Sequence, residues 1–318
     1  MQTNSCYRAP MWLLGGHAQT IWGARVINTP LPLYKRVLLE TPDKETQLAL
    51  DYVEPYIEEA PLVVLFHGLE GSSSSHYAKS LMNEAKFRRL NGVVVHFRGC
   101  GGVPNMGKRA YHAGDYAEIE WILDIFAKKC KKIYAAGVSL GGNMLARYMA
   151  HAKENALCEA AAIISAPLDL VAASVPLAHG LSRLFYTRDF FLTLKPKARA
   201  QWVQHPGLFD LKKMQAAKNF SDFDGAVTAP LHGFSSAMDY WQKASAQPFL
   251  KDIRKPCLII NAKNDPFVPW QSLPRADEVS DDVVLYQPQE GGHVGFVMGP
   301  FPGQITWLPK TILNFFGL

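Results

Sequence analysis

Ile133-Tyr-Ala-Ala-Gly137-Val-Ser139-Leu-Gly141-Gly142-Asn-Met-Leu145 carries the strongest structural signal in this sequence. An apolar run of strand length passes through Gly-x-Ser-x-Gly directly into a helical pattern. In that arrangement the serine occupies a strained turn that leaves its Oγ exposed, and the flanking glycines leave room where a Cβ would strike the neighbouring strand and helix. The amides that open the following helix suit a developing oxyanion. The bare string arises easily by chance. Its place between a strand over 132–137 and a helix over 142–151 gives it meaning.

The same alternation repeats on both sides of this stretch. Strands are expected over 36–40 and 48–53 as a leading pair, then over 62–66, 92–97, 161–165, 257–262 and 283–287. Helices are expected over 77–90 and 117–128, where apolar residues recur at three- and four-residue spacings (Ala78, Leu81, Met82, Ala85; Ile119, Ile122, Leu123, Phe126). A closing helix is expected over 304–316, with Pro309 as a kink or a first-turn residue. This pattern predicts an α/β fold, a mostly parallel central sheet flanked by helices. Between Ala166 and Leu250 the alternation stops, and the chain turns helical, aromatic-rich and basic. We read that stretch, about 167–250, as a helical cap inserted into one domain spanning 1–318.

Composition limits what such a chain can be. With 318 residues, 48% hydrophobic and 19% charged, it is globular rather than disordered. It is long enough to bury a core without metal or disulfide staples. No apolar run reaches the length of a membrane helix, and Met11-Trp-Leu-Leu14 is too short for a signal peptide. Five scattered cysteines without a C-x-x-C pair suit free thiols in a reducing cytoplasm. The net charge of +5 is uneven: between Val171 and Lys218 eight basic residues face Asp189 and Asp210 only. That cluster attracts acidic substrates or a membrane surface if it is functional. A solvated helix face is the simpler expectation, so membrane contact and nucleic-acid binding are not expected.

A serine nucleophile needs a base, and the base needs an orienting carboxylate. In the α/β-hydrolase plan these follow in the order serine, acid, histidine. Asp265 lies in Asn264-Asp-Pro-Phe-Val-Pro269, after the 257–262 strand. His293 lies in Gly291-Gly-His-Val-Gly-Phe296, after the 283–287 strand. Both fall at the sheet edge that carries Ser139. Asp281 and Asp282 are the fallback acids, but they precede the last strand and belong to the opposite edge. His67-Gly-Leu-Glu-Gly71, after the 62–66 strand, supplies the second oxyanion donor of this plan, so the backbone N–H groups of Leu69 and Leu140 are the expected pair. His67 itself is read as ordering that loop. Rival motifs are poor. Gly137-x-Ser139-x-x-Gly142 lacks the central glycine of a dinucleotide fingerprint, and Gly68–Ser75 lacks the Lys of a P-loop. No Cys/His spacing suits zinc, and His205-x4-Asp210 is a chance match.

Phe66-His-Gly-Leu-Glu-Gly-Ser72, His96-Phe-Arg-Gly-Cys100, Tyr111-His-Ala-Gly114, the Gly137–Leu145 elbow and Gly291–Phe296 resemble the YheT-like family of α/β-hydrolase esterases. So do His17-Ala-Gln-Thr20 near the start and Asp222-Phe-Asp224, Thr228-Ala229 and His232-Gly233 where the cap returns to the core. The resemblance implies an α/β-hydrolase fold and Ser139, Asp265 and His293 as catalytic residues. Phe97-Arg-Gly-Cys-Gly-Gly102 has a glycine where relatives often have serine, and Trp12–Gly16 departs from the usual leader.

The expectation is therefore a serine esterase that cleaves a carboxylic ester through an acyl-enzyme, with no cofactor and no metal. Its partner would be a small-molecule ester with an apolar acyl part. An acyltransferase and a non-catalytic ligand-binding protein on the same scaffold are the alternatives. Arg98 is expected to pin a loop and Asp115 to cap the 117–128 helix. Phe185, Tyr186, Phe190, Phe191 and Trp202 either line an acyl pocket or pack within the cap.

Overall fold

In the parallel part of the sheet, successive residues face opposite sides, and both sides are apolar. Leu62, Val64 and Phe66 join one buried cluster, while Val63 and Leu65 join the other. A strand apolar on both faces must be covered twice, which is why helices lie above and below it. The computed structural model describes residues 7–178 and 186–318.

Eight strands form one sheet: β1 (Tyr34–Glu40), β2 (Gln47–Val53), β3 (Leu62–Phe66), β4 (Asn91–Val95), β5 (Ile133–Val138), β6 (Ala160–Ile164), β7 (Cys257–Ile260) and β8 (Val283–Tyr286). Their spatial order is β1-β2-β4-β3-β5-β6-β7-β8. The β1–β2 and β2–β4 pairs are antiparallel, and all later pairs are parallel. The leading pair and the parallel core are those expected from sequence, with strand ends differing by a few residues.

The helices are α1 (Gly16–Ile21), α2 (His76–Phe87), α3 (Tyr116–Ala127), α4 (Leu140–Ala152), α5 (Leu170–Ala178), α6 (Arg188–Gln204), α7 (Leu211–Ala216), α8 (Phe220–Phe223), α9 (Ala229–His232), α10 (Ala237–Ala244) and α11 (Trp307–Phe315). Helices α3 and α4 bury Ile119, Ile122, Phe126, Leu145 and Met149 on one face of the sheet. Helices α2 and α11 bury Leu81, Met82, Leu308 and Ile312 on the other. Pro309 falls in the first turn of α11, where its missing N–H costs no helical hydrogen bond. Helices α5 to α10 lie between β6 and β7. Part of that segment builds a small core of its own from Phe209, Met214, Phe223 and Val227.

Parallel pairing carries a consequence for position. The C-terminal ends of β3, β5, β7 and β8 all open on one edge, so the loops after them meet there. Arg98, just beyond β4, is 3% exposed and donates to Glu118 of α3 (2.7 Å) and to Asp43 of the β1–β2 turn (2.8 Å). It pins the loop, as expected. Asp115 departs from expectation. It occupies the N-cap position of α3, but its carboxylate accepts nothing from the helix and pairs with Arg109 instead.

Truncating Arg98 leaves the buried Glu118 without its partner. Arg98→Ala is expected to cost about 3–5 kcal/mol, read as a lower urea midpoint. Arg98→Met with Glu118→Leu should recover much of the loss, and an unchanged midpoint in Arg98→Ala would show that the pin carries no load.

Candidate active site

Ser139 follows β5 immediately and adopts φ 53°, ψ −119°. That left-handed conformation is strained for a residue with a side chain. The neighbouring backbone enforces it. A Cβ on Gly141 would lie 2.4 Å from the His67 carbonyl oxygen and 2.6 Å from that of Phe66, so α4 can start this close to β3 only with glycine there.

His293 Nε2 lies 3.1 Å from Ser139 Oγ, and His293 Nδ1 lies 2.9 Å from Asp265 Oδ2. The carboxylate accepts only from a protonated Nδ1, which leaves the Nε2 lone pair facing the hydroxyl. The second oxygen of Asp265, Oδ1, accepts from the backbone N–H groups of Phe267 (2.8 Å) and Val268 (3.2 Å). Both carboxylate oxygens are therefore occupied, and the side chain is fully buried. The Phe267 ring packs against the imidazole at 4.2 Å between centroids. Asp281 and Asp282 sit before β8, at the opposite edge of the sheet: the Asp282 carbonyl accepts from the first residue of β7.

The histidine loop is seated by groups far away in sequence. Thr20 Oγ1 accepts from the His293 backbone N–H (2.8 Å) and donates to the Gly16 carbonyl (2.7 Å). Gln19, fully buried, accepts from the Gly291 N–H (2.8 Å) and from the Asn264 amide (2.9 Å) through Oε1. Asn264 in turn accepts from the Gly292 N–H (2.9 Å). Helix α1 thus ties the acid loop to the base loop. Gly292, at φ 62°, has no room for a Cβ, which would meet the Gly16 carbonyl and Thr20 Oγ1 at 2.7 Å. From the other side His76 Nε2 donates to the Val294 carbonyl (3.0 Å). Burial pushes the His76 imidazole down to about 4, which keeps it neutral. The sequence reading marked His17–Thr20 only through a resemblance and assigned it no role. No local pattern announces a contact across more than 270 residues.

Leu69 and Leu140 line a cavity of about 450 Å³ together with Ser139 and His293. Leu140 opens α4, so its N–H falls outside the helix's own hydrogen-bond ladder. The Leu69 N–H makes no hydrogen bond among the described residues. Its loop is firmly built. His67 is buried, with Nδ1 on the Gly68 carbonyl (2.6 Å) and Nε2 accepting from the Phe97 N–H (3.1 Å). Burial pushes it down to about 3, so it is a neutral brace for the loop. Tyr111 OH accepts from the Glu70 N–H (3.0 Å) and donates to its carboxylate (2.9 Å). Lys197 of α6 completes the ion pair with Glu70 at 2.7 Å.

The cavity wall is mainly apolar and aromatic, including Leu177, Phe190, Phe220, Phe223, Phe267 and Val268. The cap aromatics divide between their two expected uses. Phe190 lines the cavity, while Phe191 and Trp202 pack inside the helical segment. Tyr186 stands edge-on to Phe267 and hydrogen-bonds His17. Phe185, Arg183 and Cys6 lie outside the described residues. Arg188, Arg199, Lys212, Lys213 and Lys218 are exposed, as on a solvated face. His205 bonds the Met106 carbonyl and Asp210 caps α7, so that pair forms no site. Among the described residues no three His, Cys, Asp or Glu side chains gather as a metal site. No described helix is long and apolar enough to cross a membrane.

Residues 61–300 match the family model of the alpha/beta hydrolase fold. The chain belongs to the α/β-hydrolase fold family. Within it, the chain is 38% identical over 286 residues to "Putative esterase YheT" of Escherichia coli (strain K12), covering 88% of this chain and 83% of the relative. It therefore belongs to the YheT-like group. It is also 26% identical over 321 residues to Phospholipase ABHD3 of Homo sapiens, covering 97% of this chain and 78% of that one. Among solved structures, the ferulic-acid complex of Est1E from Butyrivibrio proteoclasticus shares the fold, with a TM-score of 0.55, 16% identity, and coverage of 89% of this chain and 97% of that chain. Helix α1, with Gln19 and Thr20, precedes the stretch that the family model matches.

Thr20→Val keeps the shape of the side chain and leaves the buried His293 N–H without an acceptor. We expect a loss of about 1–3 kcal/mol in urea unfolding and faster amide exchange at His293, with Thr20→Ser close to the parent. Equal midpoints for the Val and Ser variants would remove the clamp.

Proposed function

We propose that this protein is a serine esterase that cleaves carboxylic esters through an acyl-enzyme intermediate. The observation that carries the reading is the unbroken line from Asp265 through His293 to Ser139 Oγ, at 2.9 and 3.1 Å. As Oγ attacks the ester carbonyl, His293 Nε2 takes its proton. Asp265 holds the ring in the required tautomer and stabilises the imidazolium that forms. The Leu69 and Leu140 N–H groups receive the oxyanion. His293 then returns the proton to the departing alcohol, and water, deprotonated by the same ring, releases the acid.

The apolar cavity beside Ser139 supports an ester with an apolar acyl part. The helices between β6 and β7 act as the cap over that cavity. The names of the relatives, an esterase and a phospholipase, agree with ester chemistry. None of these steps calls on a cofactor or a metal ion. Four described cysteines are free thiols, three of them buried, which supports a reducing, cytoplasmic setting.

Ser139→Ala is expected to fold normally, to lose ester turnover by at least about 10³-fold and to escape labelling by a fluorophosphonate probe. Asp265→Asn should lose most activity as well, whereas Asp282→Asn should keep it. A Ser139→Ala protein retaining a tenth of the parent rate would defeat the assignment.

A further inference from the structure

His112 and His232 belong to two of the motifs that marked this sequence, and the proposed chemistry uses neither. They lie 120 positions apart in the chain, yet their rings meet with centroids 4.3 Å apart. Both line the cavity that holds Ser139. His112 comes from the loop before α3, and His232 ends α9. Burial keeps both imidazoles neutral, pushing His112 down to about 4 and His232 to about 3.

Their hydrogen bonding is incomplete. His112 Nδ1 accepts from the Gly114 N–H (3.2 Å), so its proton sits on Nε2, a donor with no partner among the described residues. His232 Nε2 is buried and likewise has none. Nearby, Arg109 is paired with Asp115, and Arg98 is paired with Glu118 and Asp43. One oxygen of Asp115 and one of Glu118 remain buried without a partner. A buried polar atom left unpaired costs about 1–3 kcal/mol, so the buried His232 Nε2, beside a His112 Nε2–H that no described residue accepts from, needs a reason.

Charge narrows what could complete the pair. An anion would find every nearby guanidinium committed and two free carboxylate oxygens in its way. A cation would meet the field of Arg109, which opposes protonation of both imidazoles, and that of Arg98, which opposes it at His232. An uncharged hydroxyl suits the pair: it accepts from the His112 Nε2–H and donates to a ring nitrogen of His232. The pair also holds a fixed position relative to the nucleophile. Asn143, one turn after Ser139 on α4, donates to the Ala113 carbonyl at 2.8 Å.

We propose that His112 and His232 form a polar subsite in the cavity that takes an uncharged hydroxyl group carried by the ester away from its scissile bond. This rests on the esterase reading above.

The test uses two matched ester pairs: one differs only in the alcohol part (propyl against 2-hydroxyethyl), the other only by a hydroxyl on the acyl chain. The parent protein is expected to favour the hydroxylated member of at least one pair in kcat/KM by about tenfold or more, the worth of one buried hydrogen bond. His112→Phe and His232→Leu should abolish that preference, bringing the kcat/KM ratio of the two members of the pair to about one. His112→Gln, which still offers an N–H, should restore part of it. No preference in the parent protein, or equal loss on both members of each pair in the variants, would overturn the subsite. Calorimetric binding of non-hydrolysable ether analogues to the parent protein and to Ser139→Ala reads the same preference without turnover. A preference in binding with turnover surviving in Ser139→Ala would keep the subsite and sink the esterase assignment instead.

Discussion

The backbone around Ser139 can exist only because α4 starts against the end of β3 with almost no space between them. No side chain fits on Gly141, because a Cβ there would come within 2.4 Å of the His67 carbonyl oxygen and 2.6 Å of that of Phe66, so the turn after Ser139 is packed against the end of β3. Everything else at this sheet edge is arranged around that fixed point. Oγ stands clear of the turn, and the first amide of α4 is left outside its helix. The loop after β3 runs alongside, carrying Leu69. The strain at Ser139 is thus held by packing rather than by any single hydrogen bond.

The two partner loops are held by hydrogen-bonded cross-links instead. Asp265 is anchored locally, by two amides from its own turn. The histidine loop is anchored remotely, by Gln19, Thr20 and Asn264 on one side and by His76 on the other. Each of those bonds ends on a backbone group, so the ring itself stays committed to Asp265 and Ser139. Neutral histidines recur as braces here. His67 and His76 each use a ring nitrogen on backbone, and burial keeps them from competing as bases.

Much of this was legible in the sequence because it depends on local patterns. Short continuous apolar runs gave the strands of the sheet, and apolar spacing of three to four residues gave its covering helices. The Gly-x-Ser-x-Gly turn, and the placement of Asp265 and His293 after late strands, put all three side chains on one edge by topology alone. What stayed hidden depends on distance through space. Nothing local in Gln19 or Thr20 says that they will hold a loop that begins more than 270 residues later. The Asp115 expectation failed for a related reason: it sits at a cap position, but Arg109 offers a full charge where the helix offers only an amide. The division of cap aromatics between cavity and packing likewise required their three-dimensional neighbours.

The clamp from α1 has a temporal consequence. Residues 16–20 leave the ribosome more than 270 residues ahead of the loop they hold. A partly synthesised chain can form most of the sheet before the histidine loop emerges to take its seat. Seating of His293 therefore waits on a contact between distant segments rather than on completion of the sheet.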